Sequence, residues 1–270
     1  MTDQRFLEKL RRIVGPEHVS TGAMASAVYS YDASLASGSP SAVVFPIELL
    51  VQRLHEQGIE TLIDGAHAPG MAPLDLRRLG ATYYTGNCHK WLCAPWGTGF
   101  LYVQRDRQEA ILPPVVSHGY NRPRPGHSRF QDLFDWPGTI DPTAWFCLGA
   151  AIDFLDGLLP GGLNALIERN HQYAVAAQSL LVEGLAARPL CPPQMLGSMA
   201  AVELGIDPHP PAEFVDQHRL NQELFERFGM EVPVYFFPAV PRVVLRVSAQ
   251  AYNEPGHYQR LVEAVRQLWP

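Results

Sequence analysis

The spacing of apolar residues predicts an alternation of helices and strands from residue 47 onward. Apolar residues share one helical face ahead of Gly58, and shorter apolar runs of strand length follow. The segments predicted in this first part are helix 47–58, strand 60–63, short helix 74–79, and strands 81–85 and 97–103. This order is typical of part of a mixed-sheet α/β domain.

The second half of the chain continues the alternation after residues 104–134, which are rich in Pro and Arg and predict a loop. Pro142 is placed to open a helix. The predicted elements that follow are helices 143–159 and 163–185, strand 198–204, helix 211–228, strands 231–236 and 242–247, and helix 256–268. The predicted organisation is a helix and loop over 1–46, a larger domain over 47–160 and a small α/β domain over 161–270.

Composition and charge narrow the classes of function. The 270 residues are 47% hydrophobic and 18% charged, which predicts a folded protein with substantial cores. A net charge of −6 and a pI near 5.9 argue against nucleic-acid binding. The N-terminus lacks an apolar signal segment and no apolar run is long enough to cross a bilayer, so we expect a cytoplasmic protein without membrane contact. The four cysteines lack metal-ligand spacing, so we expect free thiols and no metal.

Two predicted strand ends carry the residues of greatest chemical interest. Asp64 follows strand 60–63, and Lys90 lies on the turn after strand 81–85. Ligands of open α/β sheets collect beyond the carboxyl ends of strands, so the acid and the amine are expected in one crevice. Pyridoxal 5′-phosphate (PLP) needs both groups, because a lysine forms a Schiff base with it and an acid pairs with its pyridinium nitrogen.

The motifs around these residues carry a family resemblance. DGAHAPG at 64–70 and TGNCHKWLCAPWGTGFLYV at 85–103 resemble the PLP-dependent class V aminotransferases, and within them the isopenicillin N epimerase-like branch. The resemblance runs from about residue 39 to the C-terminus. It implies a truncated PLP-dependent transferase type I large domain followed by a C-terminal small α/β domain. The first half of that large domain, with its Gly-rich phosphate-binding turn, is not among the motifs found.

The resemblance also implies roles for individual residues. Lys90 would form the Schiff base and remove the α-proton of the substrate, while Asp64 would keep the ring nitrogen protonated. The other implied contacts are His67 with the phenolic oxygen of the cofactor, Asn87 and His89 with its phosphate, Thr139 with the phosphate bound to the other subunit, and Arg246 with the α-carboxylate of the substrate. These roles imply a homodimer that acts on an amino-acid-like small molecule.

Several outcomes stay open at the level of sequence. Proton removal at Cα can lead to epimerisation, to transamination or to β-elimination, as in a C–S lyase. A catalytically inactive fragment or fusion remnant without cofactor is the alternative from another class. Neither Cys88 nor Cys93 matches the position of a desulfurase nucleophile, so persulfide chemistry is not expected.

The first residues resemble a different family. Residues 5–46 are similar to the N-terminal lead-in of FAD-linked oxidases of the glycolate oxidase and D-lactate dehydrogenase type, with a helix predicted over 5–14. No Gly-rich flavin loop follows, so a flavin oxidoreductase is the weakest hypothesis. We interpret the chain as a fusion joined near residues 39–46, with an unrelated helix and loop as the alternative.

Overall fold

The structure, a computed structural model, describes residues 8, 11–12, 19–20, 43–44, 47–210, 219–237 and 240–269. The chain divides into two compact units, which are described separately below. Residues 48–155 form the first unit, and residues 156–270 together with 1–47 form the second. Most of the predicted helix over 5–14 lies outside the described residues, although Glu8, Arg11 and Arg12 are helical.

The elements up to residue 156 include the predicted alternation, together with two short strands before residue 47 and a helix within the predicted loop that were not predicted. In chain order they are β1 (Val19–Ser20), β2 (Val43–Val44), α1 (Ile47–Glu56), β3 (Leu62–Asp64), α2 (Leu76–Leu79), β4 (Tyr83–Asn87), β5 (Gly99–Val103), α3 (Arg129–Phe134), α4 (Thr143–Phe146) and α5 (Leu148–Asp156). The short strands β1 and β2 pair antiparallel, with Val19 opposite Val44.

The first unit is built on a three-stranded sheet with β4 in the centre. β3 runs parallel to β4 with Asp64 opposite Thr85, and β5 runs antiparallel to β4 with Asn87 opposite Gly99. A parallel pair needs a crossover connection, and α2 lies within it. Asp75 caps α2 by accepting from the backbone N–H groups of the first turn. The sheet therefore ends β3 and β4 at the same edge.

The predicted boundaries of one strand and one helix in this part of the chain were clearly wrong. The strand predicted at 60–63 begins and ends later, at 62–64, so Asp64 is its last residue rather than the residue after it. The predicted helix 143–159 is interrupted at Cys147 and ends at Asp156. Glycines and a proline follow Asp156, and they oppose helix continuation more strongly than the apolar pattern supports it.

The predicted loop over 104–134 contains regular structure. It holds α3 and two 3-10 turns, Arg105–Ala110 and His118–Tyr120. Ser128 accepts from the backbone N–H of Gln131 at 3.2 Å, and the Gln131 side chain accepts from the Ser128 N–H at 2.9 Å. This reciprocal cap stabilises the start of α3, whereas the density of Pro and Arg in the sequence indicated only a loop.

The second unit is a sheet covered by helices. Its elements are α6 (Gly162–Leu185), β6 (Arg188–Pro189), β7 (Met199–Ile206), α7 (Arg219–Phe228), β8 (Val234–Phe236), β9 (Arg242–Ser248) and α8 (Pro255–Leu268). The antiparallel strands lie in the order β6-β7-β9-β8. Residues 211–218 of the predicted helix 211–228 lie outside the described residues, β6 was not predicted, and β8 is shorter than its prediction.

The core of the second unit lies between the sheet and its helices. Leu181 of α6, Leu224 of α7 and Leu245 of β9 are fully buried in one apolar cluster with Val265 of α8. The N-terminus of α6 is closed by Asp156, whose Oδ1 accepts from the backbone N–H of Leu163 at 2.7 Å. The preceding backbone turns through left-handed Gly161 and Gly162, with φ of 98° and 71°, a conformation that glycine adopts without strain.

Tyr258 of α8 gives this unit a dependence on alkaline pH. Its hydroxyl donates to the carbonyl oxygen of Ser248 at 3.1 Å, and burial raises the pKa of Tyr258 from 10.0 to about 12. The neutral hydroxyl stabilises the fold fully below about pH 10, and that contribution is lost as the pH rises to about 12. We expect the urea midpoint of the wild type to fall as the pH rises from 10.0 to about 12. In Tyr258→Phe the midpoint should fall less over the same range, because no hydroxyl ionises at this position.

Tyr252 provides the matched control for this measurement. It is 76% exposed, so Tyr252→Phe should keep the wild-type pH profile. Equal slopes between pH 10 and 12 for wild type and Tyr258→Phe would contradict a stabilising role for the buried hydroxyl.

Candidate functional site

The candidate site begins where β3 and β4 end. Asp64 closes β3, and its Oδ1 accepts from the backbone N–H of Ala66 at 3.1 Å, which forms the first turn of the loop 64–70. Lys90 lies three residues beyond β4, on the loop 88–98. Since the two strands are parallel neighbours, their carboxyl ends bring these two loops together, as the sequence predicts.

Glycines let the two loops approach closely. A Cβ atom at Gly70 would lie 2.8 Å from the carbonyl oxygen of Trp91, and Gly70 also has a left-handed φ of 81°. A Cβ atom at Gly65 would lie 1.9 Å from the Tyr84 hydroxyl oxygen. Neither position has space for a larger residue. Glycine at both positions therefore allows the loop 64–70 to pack against β4 and against the loop 88–98.

His67 joins the loops through its ring. Its Nε2 lies 3.2 Å from Lys90 Nζ, and its Nδ1 accepts from the indole N–H of Trp91 at 3.2 Å. His67 and Lys90 are half-buried, while Trp91 is buried with 8% exposure. The predicted lysine thus lies in direct contact with a predicted histidine 23 residues earlier in the chain.

The loop 88–98 is folded around one carbonyl oxygen. The carbonyl oxygen of Thr98 accepts hydrogen bonds from the backbone N–H groups of Cys88 at 2.9 Å and His89 at 3.2 Å. It also accepts from the ring Nδ1 of His89 at 2.9 Å. Because a carbonyl can only accept, His89 carries a hydrogen on Nδ1. Asn87 is the last residue of β4 and is half-buried. Of the two predicted phosphate contacts, His89 therefore directly precedes Lys90 on an ordered turn, and Asn87 ends the strand that leads into this turn.

Burial governs the ionisation of two neighbours of the site. Burial raises the pKa of Tyr84, and the negative charge of Asp64 raises it further, so the hydroxyl stays protonated. Burial also raises the pKa of the Cys88 thiol, which disfavours the thiolate. This agrees with the expectation that Cys88 packs rather than reacts.

Arg246 lies in the second unit, on β9. Its guanidinium carbon is 5.5 Å from the ring centroid of Tyr235, and its buried Nε has no hydrogen-bond partner among the described residues. The turn after β9 is held by Arg169, whose Nη2 donates to the carbonyl oxygens of Gln250, Ala251 and Asn253 at 3.1, 3.1 and 3.2 Å. An unpaired buried donor fits a group that binds an anion. The role of Arg246 towards Lys90 stays a prediction.

Thr139 lies between α3 and α4 with an exposed side chain. Its predicted partner is a phosphate in another subunit, so its role also stays a prediction.

Sequence reasoning missed Trp91, Tyr84 and Thr98 as parts of this site. Trp91 follows Lys90 directly, and its indole N–H can only donate. This could have indicated that Trp91 donates to an acceptor close to Lys90. The alternation of β4, which buries Tyr84 and Gly86, was a signal for Tyr84. No sequence pattern indicates that the carbonyl of Thr98 closes the loop.

The part of the chain that the structure describes shows neither a metal-ligand cluster nor a membrane-spanning helix. Within the described ranges, no three His, Cys, Asp or Glu side chains come together as a metal site. Of the helices that the structure describes, none has the length and apolar character to cross a membrane.

Comparisons with known proteins agree with the motifs. A family model described as Aminotransferase class-V matches residues 34–230. Isopenicillin N epimerase of Amycolatopsis lactamdurans is 35% identical over 241 residues, which are 85% of this chain and 58% of that protein. A probable chloroplastic L-cysteine desulfhydrase of Arabidopsis thaliana is 32% identical over 240 residues, 85% of this chain and 49% of that protein. The chain spans about half the length of the curated relatives that it matches.

Solved structures share the fold. The apo cysteine desulfurase from Thermococcus onnurineus NA1 matches with a TM-score of 0.65 at 18% identity, over 83% of this chain and 56% of that one. The cysteine desulfurase CsdA from Escherichia coli matches with a TM-score of 0.63 at 21% identity, over 86% of this chain and 55% of that one. These likenesses confirm the predicted fold class.

Proposed function

The chain belongs to the aminotransferase class-V family, and on that premise we propose that it acts with PLP at the Cα atom of an amino-acid-like substrate. The resemblance predicted from the motifs at 64–70 and 85–103 is confirmed. Class V aminotransferases, cysteine desulfurases and desulfhydrases are PLP-dependent. Because the chain spans about half of its curated relatives, its own activity, substrate and partners belong to the proposal.

The chemistry of the side chains at the strand ends fits PLP. Lys90 would hold the aldehyde carbon of the cofactor through its amine, and Asp64 would pair with the ring nitrogen. The observation that carries the proposal is the 3.2 Å approach of Lys90 Nζ to His67 Nε2 across the ends of two parallel strands. Lys90 is half-buried on an ordered turn, so less solvent must be displaced from its side chain than from that of a mobile surface lysine before it reacts.

When bound, PLP supplies an electron sink that stabilises negative charge at the Cα atom of the substrate. Lys90, displaced by the amine of the substrate, would take the proton from Cα with Nζ. Asp64, as a carboxylate, would favour the protonated ring nitrogen that the sink requires. Return of the proton to the opposite face of Cα would give the epimer, and its delivery to the cofactor would give transamination. Departure of a substituent from Cβ, with its bonding electrons, would give β-elimination.

The remaining predicted residues would bind and orient. His67 would donate from Nε2 to the phenolic oxygen of the cofactor, and Asn87 would donate its amide to the phosphate. His89 already donates from Nδ1 to Thr98, so it would donate to the phosphate from Nε2 only as an imidazolium. Arg246 would grip the carboxylate of the substrate with its planar guanidinium, and its unpartnered Nε supports this. Thr139 would reach the phosphate of a second subunit in a homodimer.

Lys90→Ala is expected to abolish covalent PLP binding. The chain has only two lysines, Lys9 and Lys90, which makes the assignment unusually direct. Wild-type protein incubated with PLP should develop a visible absorbance band, and borohydride should then fix the label to the peptide that contains Lys90. Peptide mass mapping after borohydride measures where the label lies.

Lys9→Ala is the matched control and should keep both the band and the label. A label of equal yield in Lys90→Ala would contradict the proposal. A folded wild-type protein without any band would show that this chain alone does not hold the cofactor, which favours the alternative of an inactive fragment.

Release of sulfide from L-cysteine is a second candidate activity. It is favoured by the 32% identity to the probable L-cysteine desulfhydrase of Arabidopsis thaliana. Protein loaded with PLP and mixed with L-cysteine would produce sulfide in that case, whereas racemisation of an amino acid without sulfide would favour the epimerase-like activity.

A further inference from the structure

We propose that Trp91 is a positioning residue that fixes the tautomer of His67, so that His67 presents a hydrogen on Nε2 at the position of the Lys90 amine. The inference deepens the proposed function and rests on it for the role of Lys90. Its premise is the hydrogen-bonded series Trp91, His67 and Lys90, in which each neighbouring pair of nitrogen atoms lies 3.2 Å apart.

The direction of the first hydrogen bond determines that of the second. The indole nitrogen of Trp91 can only donate, so Nδ1 of His67 must accept and carries no hydrogen. An imidazole ring keeps at least one hydrogen, which therefore lies on Nε2. A doubly protonated His67 is excluded while the Trp91 bond persists, because its Nδ1 would have no lone pair to accept with.

The tautomer then places a hydrogen between the two loops. Nε2–H of His67 points at Lys90 Nζ, 3.2 Å away, where the aldehyde end of PLP would be attached. The same Nε2 hydrogen is the one that a phenolic oxygen of PLP could accept.

Packing explains why Trp91 can do this. Its side chain is buried with 8% exposure, and its carbonyl is pressed against Gly70 on the loop that carries His67. The indole and the imidazole are therefore held on two loops that cannot slide past each other. Trp96, on the same loop as Trp91, is 89% exposed and tilts over the ring of His89, with 5.2 Å between ring centroids.

Nitrogen-15 NMR of histidine side chains tests the proposal in protein without PLP. Protonated and unprotonated ring nitrogens resonate at well separated frequencies, and His67→Gln identifies the signals of His67 among the ten histidines. We expect one tautomer, with hydrogen on Nε2, in wild type. Trp91→Phe should produce a mixture of tautomers, Lys90→Met should keep the wild-type tautomer, and Trp96→Phe should alter only the signals of His89.

A hydrogen on Nδ1 of His67 in wild type would overturn the proposal whether or not Trp91→Phe folds. So would an unchanged single tautomer in folded Trp91→Phe, or a tautomer change in Lys90→Met. In protein that binds PLP, Trp91→Phe should also slow attachment to Lys90 by a few-fold to about tenfold, the factor associated with one hydrogen bond. Failure to bind PLP would count against the proposed function only, since the tautomer is measured without it.

Discussion

Gly65→Ala should sharply reduce covalent labelling of Lys90 by PLP and destabilise the first unit. The added methyl carbon would lie 1.9 Å from the Tyr84 hydroxyl oxygen, far inside van der Waals contact. Tyr84 cannot swing aside, because its ring is 2% exposed and stacks on Phe100 with 6.1 Å between centroids. The loop 64–70 must therefore move away from β4, and it carries both Asp64 and His67 with it.

The expected magnitudes follow from overpacking. Forcing extra volume into a packed site costs about 1–3 kcal/mol, and the severity of this clash places Gly65→Ala at the upper end of that range. A displacement of Asp64 and His67 should lower the yield of borohydride-fixed label by about tenfold or more, since a loss of 1.4 kcal/mol corresponds to a factor of ten. Urea unfolding and peptide mapping measure the two effects.

Two further variants isolate the cause. At Gly149 of α5 an added Cβ atom meets nothing within 4 Å, so Gly149→Ala should leave labelling unchanged and stabilise the helix slightly. In a Tyr84→Ala background, Gly65→Ala should cost much less than in wild type, because the clashing ring is gone. Equal costs in the two backgrounds would show that the clash is not the cause.

Leu245→Ala should be among the most destabilising single truncations in the second unit. Leu245 is fully buried on β9, between β7 and β8, in the cluster to which α6, α7 and α8 contribute. Removing a buried leucine side chain beyond Cβ costs about 2–5 kcal/mol, because transfer free energy is lost and a cavity remains. Urea unfolding should show a lower midpoint with an unchanged slope.

Ile206→Ala is the matched truncation on the neighbouring strand. Ile206 is 65% exposed at the end of β7, so its loss should cost less than about 1 kcal/mol. Equal costs for the two truncations would mean that the sheet is not packed as described.

Local patterns predicted the elements that build the site, but not how they touch. The buried alternation of β4 and the polar turn after it located Lys90 correctly at a strand end. The bond between His67 and Trp91 joins residues 24 apart, and no local pattern contains it. The roles of Gly65 and Gly70 are likewise tertiary, because each matters through an atom of the opposing loop.

The errors have a common physical origin. The α3 helix was missed because a capping box outweighs a composition of Pro and Arg, and the end of α5 was missed because backbone breakers outweigh apolar spacing. Arg246 and Thr139 were identified by motif alone, and their predicted partners are a substrate and a second subunit. Because these partners are not part of the folded chain, the contacts within it do not indicate the roles of the two residues.

The carboxylate of Asp156 determines where a separately expressed C-terminal piece of the protein should begin. Asp156 belongs to the second unit, and it supplies the acceptor that the first turn of α6 lacks. A separately expressed C-terminal piece that starts at Asp156 would retain this acceptor. In a piece that starts one residue later, the first turn of the 24-residue helix α6 would lack it. Residue 156 is therefore the latest starting point that keeps this cap of α6.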